Sequence, residues 1–201
     1  MSRRAVFLDR DGVINRAFVR DGRPYPPGSL SELEVLPGVP EALSRLREKG
    51  FLLIVVTNQP DVAKGTVERA VVEEMNARLR ESLPLDEFRV CYHDSSDACP
   101  CRKPSPGMIL EAVADHEIDI RGSYFVGDRW RDLEAGERAG CRTIFVDHGY
   151  RERQPDRYDY RVTSLSEAAE AILSEPPSGE REVETGRSSG QEQTKRSIER
   201  G

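Results

Sequence analysis

Short apolar runs alternate with longer amphipathic stretches along most of this 201-residue chain, and this alternation limits its possible folds more than any other feature. Residues 51–56 are apolar without interruption, as is typical of a parallel strand covered on both faces. The stretches between such runs place apolar residues at helical spacing, for example Val39, Leu43 and Leu46. Strands that alternate with helices predict right-handed crossovers and a doubly wound parallel sheet in a three-layer α/β fold.

The pattern predicts five strands and five helices. The strands span residues 5–8, 51–56, 88–92, 124–126 and 143–146. The helices span residues 37–49, 66–82, 104–116, 131–139 and 164–173, with Thr66 and Ser164 as N-caps and with Gly50 and Gly140 as stops. Residues 15–36 are predicted to form a loop, and a loop of that length is often functional.

Composition indicates one globular domain followed by a tail. Hydrophobic residues make up 37% of the chain and charged residues 33%, and the net charge of −6 argues against nucleic acid as the main partner. No apolar run is long enough to span a membrane, and the N-terminus lacks the pattern of a secretory signal, so we expect a cytoplasmic protein, and a monomer. After residue 174 the only aliphatic residues are Val183 and Ile198, which predicts a domain over residues 1–174 and a disordered tail over 175–201.

Polar side chains follow three of the predicted strands at their carboxyl ends. Asp9 and Asp11 come after the first strand, Thr57 after the second and Asp128 after the fourth. In open sheets of this kind the carboxyl ends of the strands form the ligand crevice, so these side chains are predicted to converge there. Neighbouring carboxylates repel each other unless a cation lies between them, and Mg²⁺ prefers such oxygen ligands. A solvated acidic turn after the first strand is the alternative.

The predicted crevice suits phosphoryl transfer. Asp9 is the candidate nucleophile, since a carboxylate can accept a phosphoryl group and divide one difficult step into two. Asp11 is placed to protonate the leaving alkoxide and later to deprotonate water. Asp128 supplies a further carboxylate for Mg²⁺, and Asp132 is placed to support it.

Cationic and polar residues nearby are candidates for binding the substrate. Thr57 and Asn58 offer a hydroxyl and backbone N–H groups to phosphate oxygens. Lys103 can neutralise charge on the transferring group. Arg102 and Arg129 can hold a second anionic group of the substrate, because arginine forms bidentate contacts with phosphate. Each of these side chains has an alternative role as a solvated or purely structural residue.

A second cluster combines Cys91, His93, Cys99 and Cys101. Three thiolates and one imidazole make up the ligand set of a closed structural zinc site. Such a site would hold the loop that continues into Arg102 and Lys103. The alternative is three reduced cysteines near a surface histidine. Cys141 is predicted to be a small buried residue.

Four segments resemble, in the right order, the four motifs of the haloacid dehalogenase (HAD) phosphatases. They are Asp-Arg-Asp-Gly-Val-Ile-Asn at residues 9–15, Thr-Asn-Gln at 57–59, Cys-Arg-Lys-Pro at 101–104 and Gly-Asp-Arg-Trp-Arg-Asp at 127–132. The resemblance covers residues 5–173 and is greatest to subfamily IIIA. These small enzymes have no large cap domain and include D,D-heptose 1,7-bisphosphate phosphatases and histidinol-phosphate phosphatases.

This resemblance implies a HAD-like Rossmannoid fold and an Mg-dependent phosphatase. It implies Asp9 as nucleophile and Asp11 as acid/base, with Mg²⁺ on Asp9, the Asp11 carbonyl and Asp128. It also implies zinc on Cys91, His93, Cys99 and Cys101, and substrate contacts from Arg102, Lys103 and Arg129.

Three functions are compatible with the resemblance and the residues. The arginine-rich segment after Asn15 suits a doubly phosphorylated sugar, which favours the 7-phosphatase of heptose 1,7-bisphosphate. The short spacing between the two pairs of zinc ligands is closer to that of histidinol-phosphate phosphatases. A phospho-acceptor signalling module is the alternative of another class, although such a module needs neither an acid/base at Asp11 nor a zinc loop.

Overall fold

The computed structural model describes residues 3–175, and they form a six-stranded parallel sheet with helices packed on both faces, together with a separate two-stranded hairpin. The strands are β1 (Arg4–Leu8), β2 (Phe18–Arg20), β3 (Arg23–Tyr25), β4 (Phe51–Asn58), β5 (Glu87–Cys91), β6 (Tyr124–Gly127), β7 (Arg142–Val146) and β8 (Tyr160–Val162). The helices are α1 (Val39–Glu48), α2 (Arg69–Ser82), α3 (Gly107–His116), α4 (Trp130–Ala139) and α5 (Leu165–Ser174).

The sheet has the order β5-β4-β1-β6-β7-β8, with every strand parallel to its neighbours. Alternate residues of β1 enter two separate cores: Val6 and Leu8 pack with α1 and α5, whereas Ala5 and Phe7 pack with α3 and α4. Strand β1 is central because it is apolar on both faces. The three-layer doubly wound fold predicted from the sequence is therefore confirmed, and no large cap is present in residues 3–175.

Strand register brings the functional strand ends to one level. Leu8 is paired with Val55 of β4 on one side and with Val126 of β6 on the other. Asp9 thus leaves the sheet between the ends of these two strands. The residues that follow β1, β4 and β6 meet at one edge of the sheet, as the order of parallel strands requires.

Two strand assignments from the sequence were incomplete. The predicted loop 15–36 contains the hairpin β2–β3, whose turn is Asp21-Gly22 with both residues at positive φ, 50° and 77°. An Asp-Gly pair is a known hairpin signal, so the sequence did contain evidence for this hairpin. Edge strand β8 was missed because its three residues are too few to show a period.

Two helix starts were also predicted too early. Helix α2 begins at Arg69 and has no side-chain cap, so Thr66 is not its N-cap. Helix α3 begins at Gly107, after the predicted start at Pro104. The cap at Ser164 is confirmed, because its hydroxyl accepts a hydrogen bond from the Glu167 N–H at 3.2 Å.

Within residues 3–175, no helix has the length and apolar character needed to cross a bilayer. The tail predicted over residues 175–201 lies outside the described residues except for Glu175, and the domain boundary stays a prediction.

Candidate active site

The carboxyl edge of the sheet opens into a cleft of about 360 Å³. Side chains from the turn after β1, from the end of β4, from the loop before α3, and from α4 with the residue preceding it all reach this cleft. Eight of the residues singled out in the sequence line it: Asp9, Asp11, Thr57, Asn58, Arg102, Lys103, Arg129 and Asp132. Residues that are far apart in the chain are thus brought together, which excludes a solvated acidic turn as the role of Asp9.

Three carboxylates and one ammonium group form the centre of the site. One carboxylate oxygen from each of Asp9, Asp128 and Asp132 lies within 4.8 Å of the others. The Lys103 Nζ donates to Asp9 Oδ1 at 2.8 Å, lies 2.7 Å from Asp132 Oδ1, and also donates to the Val56 carbonyl at 2.6 Å. Only 3% of Lys103 is exposed, so its charge is buried and needs these partners.

Burial governs the protonation of this cluster. It raises the pKa of Asp9 to about 6, against the lowering effect of the Lys103 charge and together with the negative charges of Asp132 and Asp11. Burial also raises the pKa of Asp128 well above its usual range, and the charges of Asp9 and Asp132 add to that effect. A cation between Asp9 and Asp128 would favour their ionised forms.

Asp128 provides the test of whether a metal fits here. Both of its carboxylate oxygens are buried and, in the described part of the chain, neither accepts a hydrogen bond of normal geometry, although the Tyr150 hydroxyl lies close enough for the charge of Asp128 to add to the effect of burial in raising the pKa of Tyr150. Gly12 lies against this carboxylate, since a Cβ atom at Gly12 would come within 2.0 Å of Asp128 Oδ2. Buried, unpaired carboxylate oxygens beside a second carboxylate fit a hard cation such as Mg²⁺.

Asp11 is held apart from that cluster. Its carboxylate accepts hydrogen bonds from Asn15 Nδ2 at 2.9 Å, from Gln59 Nε2 at 2.8 Å and from the guanidinium of Arg10 at 3.1–3.2 Å. The partner roles of Arg10, Asn15 and Gln59 were not foreseen from the sequence, although all three lie within its motifs. These donors hold Asp11 at the cleft, where an acid/base group is needed.

The polar residues at the end of β4 serve mainly to hold other site residues. The Asn58 side chain donates to the Lys103 carbonyl at 3.0 Å and accepts from the Lys103 N–H at 3.1 Å. The Thr57 hydroxyl is buried and accepts from Gln59 Nε2 at 2.9 Å. Asn58 therefore fixes the backbone that carries Lys103. Phosphate contacts from Thr57 and Asn58 stay a prediction.

Two predicted anion-binding arginines already have protein partners. Arg129 Nε donates to Glu152 Oε1 at 2.8 Å, and a second hydrogen bond joins Arg129 Nη2 to Glu152 Oε2. Arg102 Nη1 donates to the His93 carbonyl at 3.0 Å. Glu152 was not foreseen, nor were Lys64 and Arg131, which also line the cleft. Arg23, from the arginine-rich segment after Asn15 that was expected to face a charged ligand, lines the cleft as well.

The four zinc-ligand candidates come together beside the cleft. Cys101 Sγ lies 3.3 Å from both Cys91 Sγ and Cys99 Sγ, and 3.2 Å from His93 Nδ1. Cys91 Sγ lies 3.7 Å from Cys99 Sγ and 3.6 Å from His93 Nδ1. Such convergence fits a four-coordinate zinc ion. Cys141 lies apart from this cluster and is buried, as predicted.

A glycine allows the zinc-ligand loop to pack on α3. A Cβ atom at Gly107 would come within 2.3 Å of the Pro100 carbonyl oxygen, so a larger residue would displace the loop backbone. Close packing here connects the cysteine cluster to the segment with Arg102 and Lys103.

Comparisons with known proteins agree with the geometry. Residues 100–168 match the family model described as HAD-hydrolase-like. The chain is 40% identical over 154 residues to the D-glycero-beta-D-manno-heptose-1,7-bisphosphate 7-phosphatase of Pseudomonas aeruginosa, covering 74% of this chain and 84% of that protein. The corresponding enzyme of Pseudomonas putida is 36% identical over 176 residues, covering 85% of this chain and 97% of that protein.

A solved structure shows the same fold. The D,D-heptose 1,7-bisphosphate phosphatase of B. bronchiseptica, complexed with magnesium and phosphate, superposes with a TM-score of 0.72 at 30% identity. The match covers 85% of this chain and 98% of that one. The resemblance to HAD phosphatases noted in the sequence is confirmed.

Proposed function

Because this chain belongs to the HAD-like hydrolases, in the family of the D-glycero-D-manno-heptose-1,7-bisphosphate 7-phosphatases, we propose that it removes the 7-phosphate from that sugar. The observation that carries the proposal is the buried meeting of Asp9, Asp128 and Lys103 at the end of β1. The names of the curated relatives favour this sugar over histidinol phosphate.

In the proposed mechanism, Asp9 attacks the phosphorus atom and forms an aspartyl-phosphate, while the bond to the sugar oxygen breaks. Lys103, already 2.8 Å from Asp9, offsets negative charge on the transferring group. Asp11 gives its proton to the departing sugar oxygen. It then takes a proton from the water that cleaves the aspartyl-phosphate and releases inorganic phosphate.

Asp9, Asp128 and the Asp11 carbonyl are the proposed Mg²⁺ ligands, and the orphaned oxygens of Asp128 support this assignment. When bound, Mg²⁺ would neutralise charge and orient the phosphate. Asp132 forms an ion pair through Oδ1 with Lys103 Nζ, and its Oδ2 accepts a hydrogen bond from the Arg129 N–H at 3.0 Å. We therefore assign Asp132 to positioning Lys103. Cys91, His93, Cys99 and Cys101 are the proposed zinc ligands, with a structural role.

The distal phosphate of the substrate is assigned to the cationic side of the cleft. Arg102, Arg129 and Arg131 lie there, and Arg23 from the hairpin β2–β3 also reaches the cleft. A cytoplasmic location and a monomeric state, expected from the sequence, stay predictions.

A panel of phosphate esters assayed with Mg²⁺ tests the function. We expect heptose 1,7-bisphosphate to be hydrolysed with a higher kcat/KM than histidinol phosphate or simple sugar monophosphates. Preference for histidinol phosphate would overturn the choice of substrate but not the choice of chemistry.

Replacement of the proposed nucleophile tests the chemistry. Asp9→Asn should lower kcat by at least about 10³-fold while the circular dichroism spectrum stays unchanged, since the amide cannot accept a phosphoryl group. Asp156→Asn, at an exposed carboxylate paired with Arg153, is the control and should keep full activity. Turnover retained by Asp9→Asn would remove Asp9 as nucleophile.

A further inference from the structure

Arg10 is the largest side chain that is completely buried in the described residues. It lies between Asp9 and Asp11, yet it points away from solvent into the protein. A guanidinium group remains charged at any ordinary pH, so its burial requires compensating partners.

The hydrogen bonds of Arg10 connect Asp11 to a distant helix. Nε and Nη2 donate to the Asp11 carboxylate, at 3.2 Å and 3.1 Å to Oδ1 and at 3.1 Å to Oδ2. The remaining nitrogen, Nη1, donates to Asn76 Oδ1 at 2.9 Å. Asn76 belongs to α2, is itself buried, and lies 66 residues further along the chain.

We propose that Arg10, held in place by Asn76, is a positioning residue that sets the orientation of the Asp11 carboxylate towards the leaving oxygen of the substrate. The inference rests on the proposed function of Asp11 as acid/base.

The geometry of the bonds supports this role. Asn15 holds Oδ1 of Asp11 and Gln59 holds Oδ2, each through one hydrogen bond from a neutral amide. The guanidinium fork of Arg10 contacts both oxygens through charge-assisted bonds, which are roughly twice as strong, so it contributes most to fixing the plane of the carboxylate. Asn76 fixes the fork in turn, so the direction of Asp11 is set by the packing of α2 on the sheet.

A dependence on the leaving group distinguishes positioning from a merely structural role. The oxygen that leaves an alkyl phosphate needs a proton, whereas p-nitrophenyl phosphate releases p-nitrophenolate, a stabilised anion that needs no proton to leave. Arg10→Lys keeps the positive charge and loses the fork. We expect kcat/KM, which reports the steps up to formation of the aspartyl-phosphate, to fall at least about tenfold for heptose 1,7-bisphosphate and less than about threefold for p-nitrophenyl phosphate. The later step, in which Asp11 takes a proton from water, is the same for both esters and does not enter kcat/KM.

Asn76→Leu provides the second variant, with Met75→Leu as its matched control at the neighbouring buried position of α2. Asn76→Leu should show the same leaving-group dependence as Arg10→Lys in a weaker form, and Met75→Leu should leave the ratio of the two kcat/KM values at the wild-type level. Thermal unfolding verifies that each variant is folded. If Arg10→Lys does not fold, the leaving-group dependence of Asn76→Leu tests the positioning role.

Equal losses on both substrates in the folded variants would overturn the positioning role. Failure of the proposed function is a separate result, because then the wild-type protein itself would not hydrolyse heptose 1,7-bisphosphate in the presence of Mg²⁺.

Discussion

At the scale of single residues, the site depends on the close approach of the Gly12 backbone to the Asp128 carboxylate. Gly12 turns the chain after Asp11 at φ +92° and leaves space for the Asp128 carboxylate. Only glycine adopts this backbone conformation without strain and also lacks the Cβ atom that would touch Asp128. The backbone conformation and the small space beside Asp128 therefore both require glycine at residue 12.

Gly12→Ala should weaken Mg²⁺ binding about 10–100-fold, because the new Cβ atom must displace Asp128 Oδ2. Gly50→Ala is the matched control: Gly50 has φ +82°, and no atom lies within 4 Å of an added Cβ. The control should lose about 1–2 kcal/mol of stability from backbone strain but keep wild-type Mg²⁺ affinity. Isothermal titration with Mg²⁺ measures the difference, and equal affinities in the two variants would contradict the assignment of Asp128.

The raised pKa of Asp9 predicts how metal and pH together affect stability. The folded pKa of about 6 lies above the usual 3.8, so the neutral acid contributes stability at low pH, and this contribution is lost as the pH rises through 6. Mg²⁺ relieves the repulsion among ionised carboxylates. We therefore expect the rise in Tm on adding Mg²⁺ to be larger at pH 7.5 than at pH 5.

Scanning calorimetry with and without Mg²⁺ measures this difference. An equal rise in Tm at the two pH values would show that the buried carboxylates do not take part in the metal effect.

At the scale of elements, the loop between β5 and α3 connects the cysteine cluster to Lys103. Cys101 is followed directly by Arg102 and Lys103, and Asn58 holds the backbone of Lys103 from the end of β4. Cys91 belongs to the edge of one hydrophobic core, and Cys99 and Cys101 pack against it, whereas other apolar side chains make up most of that core and all of the core on the other face of the sheet. The cluster therefore joins this loop to the edge of one core, and most of the fold does not depend on it.

Removal of zinc should lower activity more than it lowers stability. Cys99→Ser, or treatment with a chelator, should reduce kcat/KM at least about tenfold, while the far-ultraviolet circular dichroism spectrum stays close to that of the native protein. Cys141→Ser, at a buried cysteine outside the cluster, is the control and should keep both its zinc content and its activity. Global unfolding on chelation would instead make zinc a requirement of the core.

At the scale of the whole molecule, the last described residue, Glu175, is held against the sheet by polar contacts. Glu175 pairs with Arg142, and its carboxylate accepts hydrogen bonds from Tyr124, at 2.9 Å, and from Tyr160. These partners lie on β6, β7 and β8, so Glu175 connects the end of α5 to three strands of the sheet.

A chain truncated after Glu175 should keep full activity and unfold within about 0.5 kcal/mol of the full-length protein. Glu175→Ala in the truncated chain should then cost about 1 kcal/mol, because its hydrogen bonds to the buried Tyr124 and the partly buried Tyr160 are lost. Denaturant unfolding compares the three proteins. A large loss on truncation alone would place the domain boundary beyond residue 175.

The sequence by itself determined the fold class and most of the chemistry of this protein. Strands such as β4 are long apolar runs, and their alternation with amphipathic helices leaves few topologies. Asp9, Asp128 and the cysteine cluster could be identified because chemistry at strand ends and metal sites demands particular residue types. The three-residue strand β8 and the start of α2 require no particular residue types, so the sequence pattern alone could not locate them.

Only the tertiary structure decided how each polar group is used. Asn58 bonds to the Lys103 backbone, Arg129 pairs with Glu152, and Arg10 joins Asp11 to Asn76. These partners are separated by 23 to 66 residues in the chain. No sequence periodicity links residues so far apart in the chain. A side-chain hydrogen bond forms only when donor and acceptor are placed to within a few tenths of an ångström, and packing sets that placement only after the sheet and helices have come together.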